Sequence, residues 1–178
     1  MVQPQAGHHV LEVGCGTGTN LKLYQQAGCR IAGIDLSPSM IEVARSKLDR
    51  EADLRIGNAA EMPFPDATFD LSFAMLTLHE MPAEIRNTVI EEMIRIVKPD
   101  GSLLLMDFHP GPIAFPKGWV SKAIILCFEI AGGREHFRNY RNFIANKGLP
   151  PLLKRTTLSI EKEKIINGGN MALFLARL

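Results

Sequence analysis

Three glycines at alternate positions, directly after a mostly apolar run, form the stretch best suited to bind a ligand. The run His9–Val13 suits a buried strand, and Gly14, Gly16 and Gly18 follow it. Glycine lacks a Cβ atom, so a ligand can approach the main chain closely. A helix that begins after such a turn offers its backbone N–H groups and its positive end. The stretch therefore predicts a binding loop between a strand and a helix.

The second predicted strand, Arg30–Asp35, ends in a carboxylate. In nucleotide-binding α/β folds an acid at this position accepts the ribose hydroxyls, and an ionised carboxylate has room for two donors. Thr19 or Asn20 is expected to cap the intervening helix. A dinucleotide loop, Gly-x-Gly-x-x-Gly or Ala, would need a small residue where Thr19 stands. An NAD-dependent oxidoreductase is therefore the least favoured alternative, and no recognisable hydride-transfer pair supports it.

The pattern acid-x-Gly-x-Gly-x-Gly is matched by Glu12, Gly14, Gly16 and Gly18. With Asp35 it resembles the cofactor site of class I S-adenosylmethionine-dependent methyltransferases. The closest resemblance is to the small-molecule branch that includes the quinone-biosynthesis C-methyltransferases, and it extends over roughly residues 9–108. It implies transfer of a methyl group from S-adenosylmethionine to a small-molecule acceptor, quinone-like or lipid-like. The alternative is a non-catalytic relative that binds a cofactor or a partner.

The resemblance also implies a role for particular residues. Glu12 is expected to face the cofactor's ammonium group, through water, and Asp35 the ribose. Leu36 and Met40 would pack on the adenine. Asn58 replaces the family's usual aspartate. Its side-chain oxygen can still accept a hydrogen bond from the adenine amino group. The full predicted cofactor set is Glu12, Gly14, Cys15, Gly16, Gly18, Asp35, Leu36, Met40, Asn58, Ala59 and Met75.

A catalytic base is expected only if the acceptor must lose a proton, because a sulfonium methyl group is already activated and mainly needs alignment. His79 follows the fourth predicted strand, where ligands bind in open α/β sheets, and it is the candidate base. A capping or surface histidine is the equal alternative. Asp107 and His109 lie at the end of the fifth predicted strand, at the same end of the sheet as His79. The favoured interpretation of both is that they are ordinary loop residues.

The three cysteines, Cys15, Cys29 and Cys127, have no metal-ligand spacing. They are odd in number and are interpreted as reduced thiols of a cytoplasmic protein. No metal site is predicted. The first residues lack the basic start and apolar core of a signal peptide, and no apolar run approaches the roughly 20 residues that span a membrane.

Strand and helix patterns alternate, which predicts a doubly wound α/β fold with a mostly parallel sheet. Ser37-Pro38 and Pro82 are predicted to open helices, and Pro99–Gly101 and Pro150-Pro151 to end them. The resemblance implies a seven-stranded Rossmann-like methyltransferase sheet with an antiparallel last strand. The predicted strands are 9–13, 30–35, 53–56, 69–76, 101–108, 156–165 and 171–177.

A single domain over residues 1–178 fits the length and composition, with 46% hydrophobic and 22% charged residues. The resemblance implies helices before the first strand, and in the given sequence we expect this cap to be short or missing. We therefore expect residues 110–150 to supply the lid or substrate segment. The exposed apolar face predicted there also suits a homodimer contact. Nucleic acid is not an expected partner, because the net charge is only +1 and no basic-aromatic strand is present.

Overall fold

The computed structural model describes residues 4–178. Seven strands form one sheet in the order β3-β2-β1-β4-β5-β7-β6. The strands are β1 (His9–Val13), β2 (Arg30–Asp35), β3 (Asp53–Ile56), β4 (Phe69–Met75), β5 (Val97–Phe108), β6 (Ser159–Ile166) and β7 (Met171–Arg177). The helices are α1 (Thr19–Gln26), α2 (Pro38–Lys47), α3 (Ala83–Ile96), α4 (Lys117–Ala131), α5 (Arg134–Ala145) and α6 (Leu149–Leu153).

The first five strands pair in parallel, and β7 runs antiparallel to both of its neighbours, β5 and β6. The predicted fold class and the antiparallel last strand are thus confirmed. β1 and β4 lie between parallel neighbours, and both are mostly apolar, as expected of strands covered on both faces. The carboxyl ends of β1, β2 and β4 consequently meet along one edge of the sheet.

Two apolar cores hold helices against the two faces of the sheet. On one face, Leu21 and Tyr24 of α1 and Ile41 of α2 pack with strand residues such as Phe73. On the other face, α3, α5 and α6 contribute a larger cluster that includes Val89, Met93, Phe143 and Leu149. Burial of these side chains is the main force that fixes the sheet between its helix layers.

Three local predictions are wrong at the level of caps and turns. Gly18, not Thr19 or Asn20, is the N-cap of α1, because the Asn20 amide is used by a buried carboxylate. Residues 99–101 lie in a bulge of β5, since β4 pairs with β5 on both sides of them. Pro150-Pro151 open α6 instead of ending α5, and Gly148, with φ +70°, separates the two helices.

Helix α4 packs on the rest of the molecule through a narrow face, with Gly118, Ile125 and Glu129 buried. Its other apolar side chains are largely exposed, among them Trp119, Ile124 and Phe128. In the described part of the chain, no helix combines the length and the apolar character needed to cross a membrane.

Candidate cofactor site

The glycine loop is tied to the end of β2 by backbone donors. The Gly16 N–H donates to Asp35 Oδ2 at 2.8 Å, and the Ser37 N–H donates to Oδ1 at 2.8 Å. Gly14 and Gly16 have φ of +66° and +49°, a region that side chains with a Cβ rarely adopt. Asp35 is thus held by one hydrogen bond on each oxygen, with its remaining lone pairs free for further donors.

A cavity of about 520 Å³ opens between the loop, α2 and the start of α3. This volume lies within the usual range for small-molecule sites. Eight predicted cofactor residues line it: Gly14, Gly16, Asp35, Leu36, Met40, Asn58, Ala59 and Met75. The structure therefore brings most of the predicted set to one cavity at the carboxyl edge of the sheet.

The other predicted residues, Glu12, Cys15 and Gly18, lie outside the cavity lining. Cys15 is buried, and its Sγ lies where a Cβ on Gly33 would approach to 2.8 Å. Gly18 faces Leu48 and has no room for a side chain. Gly18 thus lets the start of α1 approach the end of α2, and Gly33 leaves room for Cys15 against β2. Both contacts would shape the cavity indirectly.

Glu12 is buried beneath the glycine loop, where it is 2% exposed. Its Oε1 accepts a hydrogen bond of 2.7 Å from the Asn20 amide, and its Oε2 has no hydrogen-bond partner in the described residues. Burial raises the pKa of Glu12 to about 8, although the bond from Asn20 acts in the opposite direction. Burial therefore favours the protonated form of Glu12 in the folded chain at neutral pH.

This proton makes stability depend on pH. The unfolded chain releases it near the ordinary pKa of 4.5, whereas the folded chain keeps it up to about pH 8. Raising the pH between these values favours the unfolded state, by up to about 1.4 kcal/mol per unit. We expect the free energy of unfolding to fall less steeply with pH in Glu12→Gln than in wild type. Urea denaturation at pH 5.5, 6.5 and 7.5 measures this.

Glu42→Gln, on the exposed side of α2, is the control and should keep the wild-type slope. Equal slopes in Glu12→Gln and wild type would show that Glu12 is already ionised in the folded chain.

The wall opposite the glycine loop is apolar and open to solvent. Leu36 is 70% exposed and Met40 42% exposed, although both border the cavity. Asn58 Oδ1 accepts a hydrogen bond of 3.0 Å from the Ala60 N–H, which orients its amide. Exposed apolar side chains beside a polar amide suit a planar heteroaromatic ring, which has apolar faces and polar edges.

Arg95 fixes the loop that follows β3 and carries Asn58. Its guanidinium donates to the carbonyl oxygens of Met62 and Phe64 at 3.0 and 2.9 Å, and it forms an ion pair with Glu92. Glu92 in turn accepts the Met62 N–H at 2.8 Å. This loop is therefore irregular but well anchored to α3.

The turn after β4 contributes lining residues that the sequence did not predict. Leu76 adopts φ +55°, a strained conformation for this residue type, and Thr77 and Glu80 follow it along the cavity. Ile85 and Val89 of α3 also reach the wall. Helical periodicity identified them only as core positions, because it says nothing about which end of the sheet a helix covers.

His79 lies behind this wall and is 2% exposed. Its Nδ1 is 2.7 Å from Asp107 Oδ1, and Asp107 also accepts the His79 and Phe108 N–H groups. Burial lowers the pKa of His79, but the bond to Asp107 and the nearby carboxylates outweigh it and raise the pKa overall. His79 is not among the cavity-lining residues, and its role as a base stays a prediction. His109 is held at the same rim, close to the Gly169 carbonyl.

Arg86 of α3 is a charged residue, yet it is buried. It donates to the carbonyl oxygens of Leu78, Met81 and Asn139 at 2.8 to 3.1 Å. The Asn139 amide donates to the Glu80 carbonyl at 2.7 Å. Arg86 and Asn139 thereby hold the 78–82 turn between α3 and α5.

A sheet of this order, with a glycine loop after β1 and a carboxylate at the end of β2, defines a class I S-adenosylmethionine-dependent methyltransferase fold. The profile of the family described as "Methyltransferase domain" matches residues 11–105. The chain belongs to this family, and S-adenosylmethionine is the cofactor of its class.

Curated relatives extend the match. A demethylmenaquinone methyltransferase from Tropheryma whipplei (strain Twist) is 33% identical over 119 residues, covering 65% of this chain and 48% of the relative. Methyltransferase GfsG from Streptomyces halstedii is 31% identical over 163 residues, covering 86% and 56%. The chain thus spans about half the length of these relatives.

Solved structures agree on the fold. An S-adenosylmethionine-dependent methyltransferase from Mesorhizobium loti superposes with a TM-score of 0.72 at 18% identity, covering 100% of this chain and 94% of that one. A methyltransferase from Aquifex aeolicus gives a TM-score of 0.70 at 18% identity, covering 99% and 85%. At these identities the likeness concerns the fold alone.

Proposed function

We propose that this protein transfers the methyl group of S-adenosylmethionine to a small, largely apolar acceptor. The observation that carries the proposal is the cavity in which the glycine loop, Asp35 and Asn58 converge at the carboxyl edge of the sheet. Named relatives that methylate small molecules, among them the Tropheryma whipplei enzyme, support the same class of reaction.

The residues present fit this cofactor. A Cβ on Gly16 would meet no atom within 4 Å, so the main chain there is open to a ligand. Asp35 has free lone pairs for two hydroxyls. Glu12 Oε2 is a buried oxygen without a hydrogen-bond partner in the described residues. Glu12 lies beneath the loop and outside the cavity lining, so it would reach the ammonium group through water. Leu36, Met40 and Asn58 would hold the adenine.

Bound S-adenosylmethionine supplies an electrophilic methyl group. The task of the chain is then to position the acceptor in line and to exclude water, which can account for a large share of the rate enhancement. Leu76, Met81 and Ile85 form an apolar wall beyond the glycine loop. This wall suits an apolar acceptor, and the proposal needs no proton transfer through the buried His79.

We further propose that residues 110–150 supply the lid over the acceptor, with α4 as its apolar, covering part and α5 as its anchor in the core. The exposed side chains of Trp119, Ile124 and Phe128 support a quinone-like or lipid-like acceptor. Hydrogen exchange with and without S-adenosylhomocysteine tests the lid. Protection of 117–131 should rise with ligand, and slow exchange in both states would make α4 part of the core.

The test of function is formation of S-adenosylhomocysteine with a panel of short-chain quinols and phenols. We expect turnover with at least one apolar aromatic acceptor, at a rate that Asp53→Ala, at the opposite edge of the sheet, does not change. Tight cofactor binding without turnover on any acceptor would favour the non-catalytic alternative. Absence of cofactor binding would overturn both.

A further inference from the structure

Helices α4 and α5 bring three potential metal ligands together behind the cavity wall. The side chains are His79, Glu129 and His136, and one ligand atom from each lies within 4.8 Å of the others. His79 Nε2 is 3.7 Å from Glu129 Oε1, and His136 Nε2 is 2.8 Å from Glu129 Oε2. Ligands about 2.0–2.1 Å from one tetrahedral ion are roughly 3.4 Å apart, so small side-chain shifts would suffice.

Glu129 is the member of this cluster that most needs a cation. Its side chain is only 7% exposed, and its Oε2 has no hydrogen-bond partner of acceptable geometry among the described residues. His136 Nε2 is near enough but is not aligned for a hydrogen bond. A buried carboxylate oxygen without a hydrogen-bond donor is costly, and a metal ion shared with the two imidazoles would satisfy it.

Asp107 orients His79 as a metal ligand is oriented in known sites. It accepts from Nδ1 at 2.7 Å, and two backbone N–H groups also donate to it, which fixes its position. The Nδ1 proton leaves Nε2 with a free lone pair. A carboxylate behind a ligating imidazole is the common outer-shell arrangement of histidine metal sites.

The local chain explains how the ligands meet. Glu129 is in the last turn of α4 and His136 is in the first turn of α5, and Gly132-Gly133 separates the helices. A Cβ on Gly132 would meet the His136 ring at 2.7 Å, so the glycine lets this imidazole fold back over α4. The exposed side of the cluster is at His136, whose side chain is 24% accessible.

We propose that His79, Glu129 and His136 bind a divalent transition-metal ion, for which Zn²⁺ is the best fit. Two imidazoles and one carboxylate form a ligand set typical of zinc sites that keep an open fourth position. Glu80, which lines the cavity, has Oε1 4.0 Å from His79 Nε2, so the ion would adjoin the acceptor side. It would also tie α4 and α5 to the sheet. This assignment departs from the prediction of no metal site, and it replaces the role of His79 as a base.

The test uses the tag-free full chain, stripped with a chelator and titrated calorimetrically with Zn²⁺ in the absence of cofactor. We expect one equivalent per chain, with affinity at least about tenfold weaker in Glu129→Gln and in His136→Gln. Co²⁺ should give visible absorption bands in wild type that change in His136→Gln. Mg²⁺ should not compete.

Two matched controls separate the site from general charge effects. Glu135→Gln removes an exposed carboxylate beside His136 that faces Arg138, and His8→Gln removes a histidine from the opposite edge of the sheet. Both should bind Zn²⁺ like wild type. No saturable binding to wild type, or wild-type affinity in folded Glu129→Gln, would overturn the proposal. Because no cofactor is present, either result leaves the proposed methyl transfer untouched.

Discussion

Gly16→Val is expected to abolish binding of S-adenosylmethionine, with a loss of affinity of at least about a hundredfold. The backbone at Gly16 has φ +49°, which costs a β-branched residue on the order of 1–3 kcal/mol. The new side chain would also project where a Cβ now meets no atom within 4 Å, so it would occupy the open approach to the loop. Calorimetry with S-adenosylhomocysteine measures the loss.

The chain offers a control with the same backbone strain. Gly7 has φ +86°, and a Cβ there also meets nothing within 4 Å, but it precedes β1 at the far edge of the sheet. Gly7→Val should lose stability and keep wild-type affinity. If folded Gly16→Val binds like Gly7→Val, the glycine loop is only a turn and not a cofactor cradle.

The features predicted correctly from sequence are those encoded by neighbouring residues. A strand, a glycine turn and a helix lie within residues 9–26, and Asp35 ends the next strand. Local sequence patterns, together with a parallel sheet, are therefore enough to predict the side of the cavity formed by the glycine loop and Asp35. Ser37 likewise caps α2, with Pro38 at its first position, as predicted. In each case the residues that determine the feature lie within one short segment of the sequence.

The features that were missed depend on contacts between distant segments. The Asn20 side chain donates a hydrogen bond to the buried Glu12, so it does not cap α1. The sequence alone suggests that Arg86 lies on the solvent-exposed face of α3. In the structure α5 packs over α3, and Arg86 donates to the Asn139 carbonyl. Periodicity describes one helix at a time and cannot report which backbone carbonyls a buried guanidinium will find.

The cluster around His79 shows the same limit in the site itself. Glu129 and His136 are seven residues apart on two different helices, and His79 is far from both in sequence. The turn at Gly132-Gly133 and the packing of α5 against the turn after β4 bring them together. Metal-ligand spacing is a pattern within one short segment, whereas these three side chains come from three separate elements.

Asp35→Ala is expected to weaken S-adenosylmethionine binding at least about tenfold while the fold stays intact. A charge-assisted hydrogen bond contributes roughly 1.5–3 kcal/mol, and two ribose hydroxyls would lose their acceptor. The substitution also removes the tie from the Gly16 N–H to Oδ2, which loosens the loop. Asp35→Asn keeps one acceptor oxygen and should give an intermediate loss in the same calorimetric titration.

Asp53→Ala is the matched control. Asp53 begins β3, at the amino-terminal end of the strands and away from the cavity, and it pairs with Arg55. It should bind the cofactor like wild type. A pattern in which Asp35→Ala and Asp53→Ala both bind normally would sink the ribose assignment. Equal losses in both variants would instead point to general destabilisation, which urea denaturation of the two proteins would reveal. Only a selective loss in Asp35→Ala, graded through Asp35→Asn, assigns the ribose hydroxyls to this carboxylate.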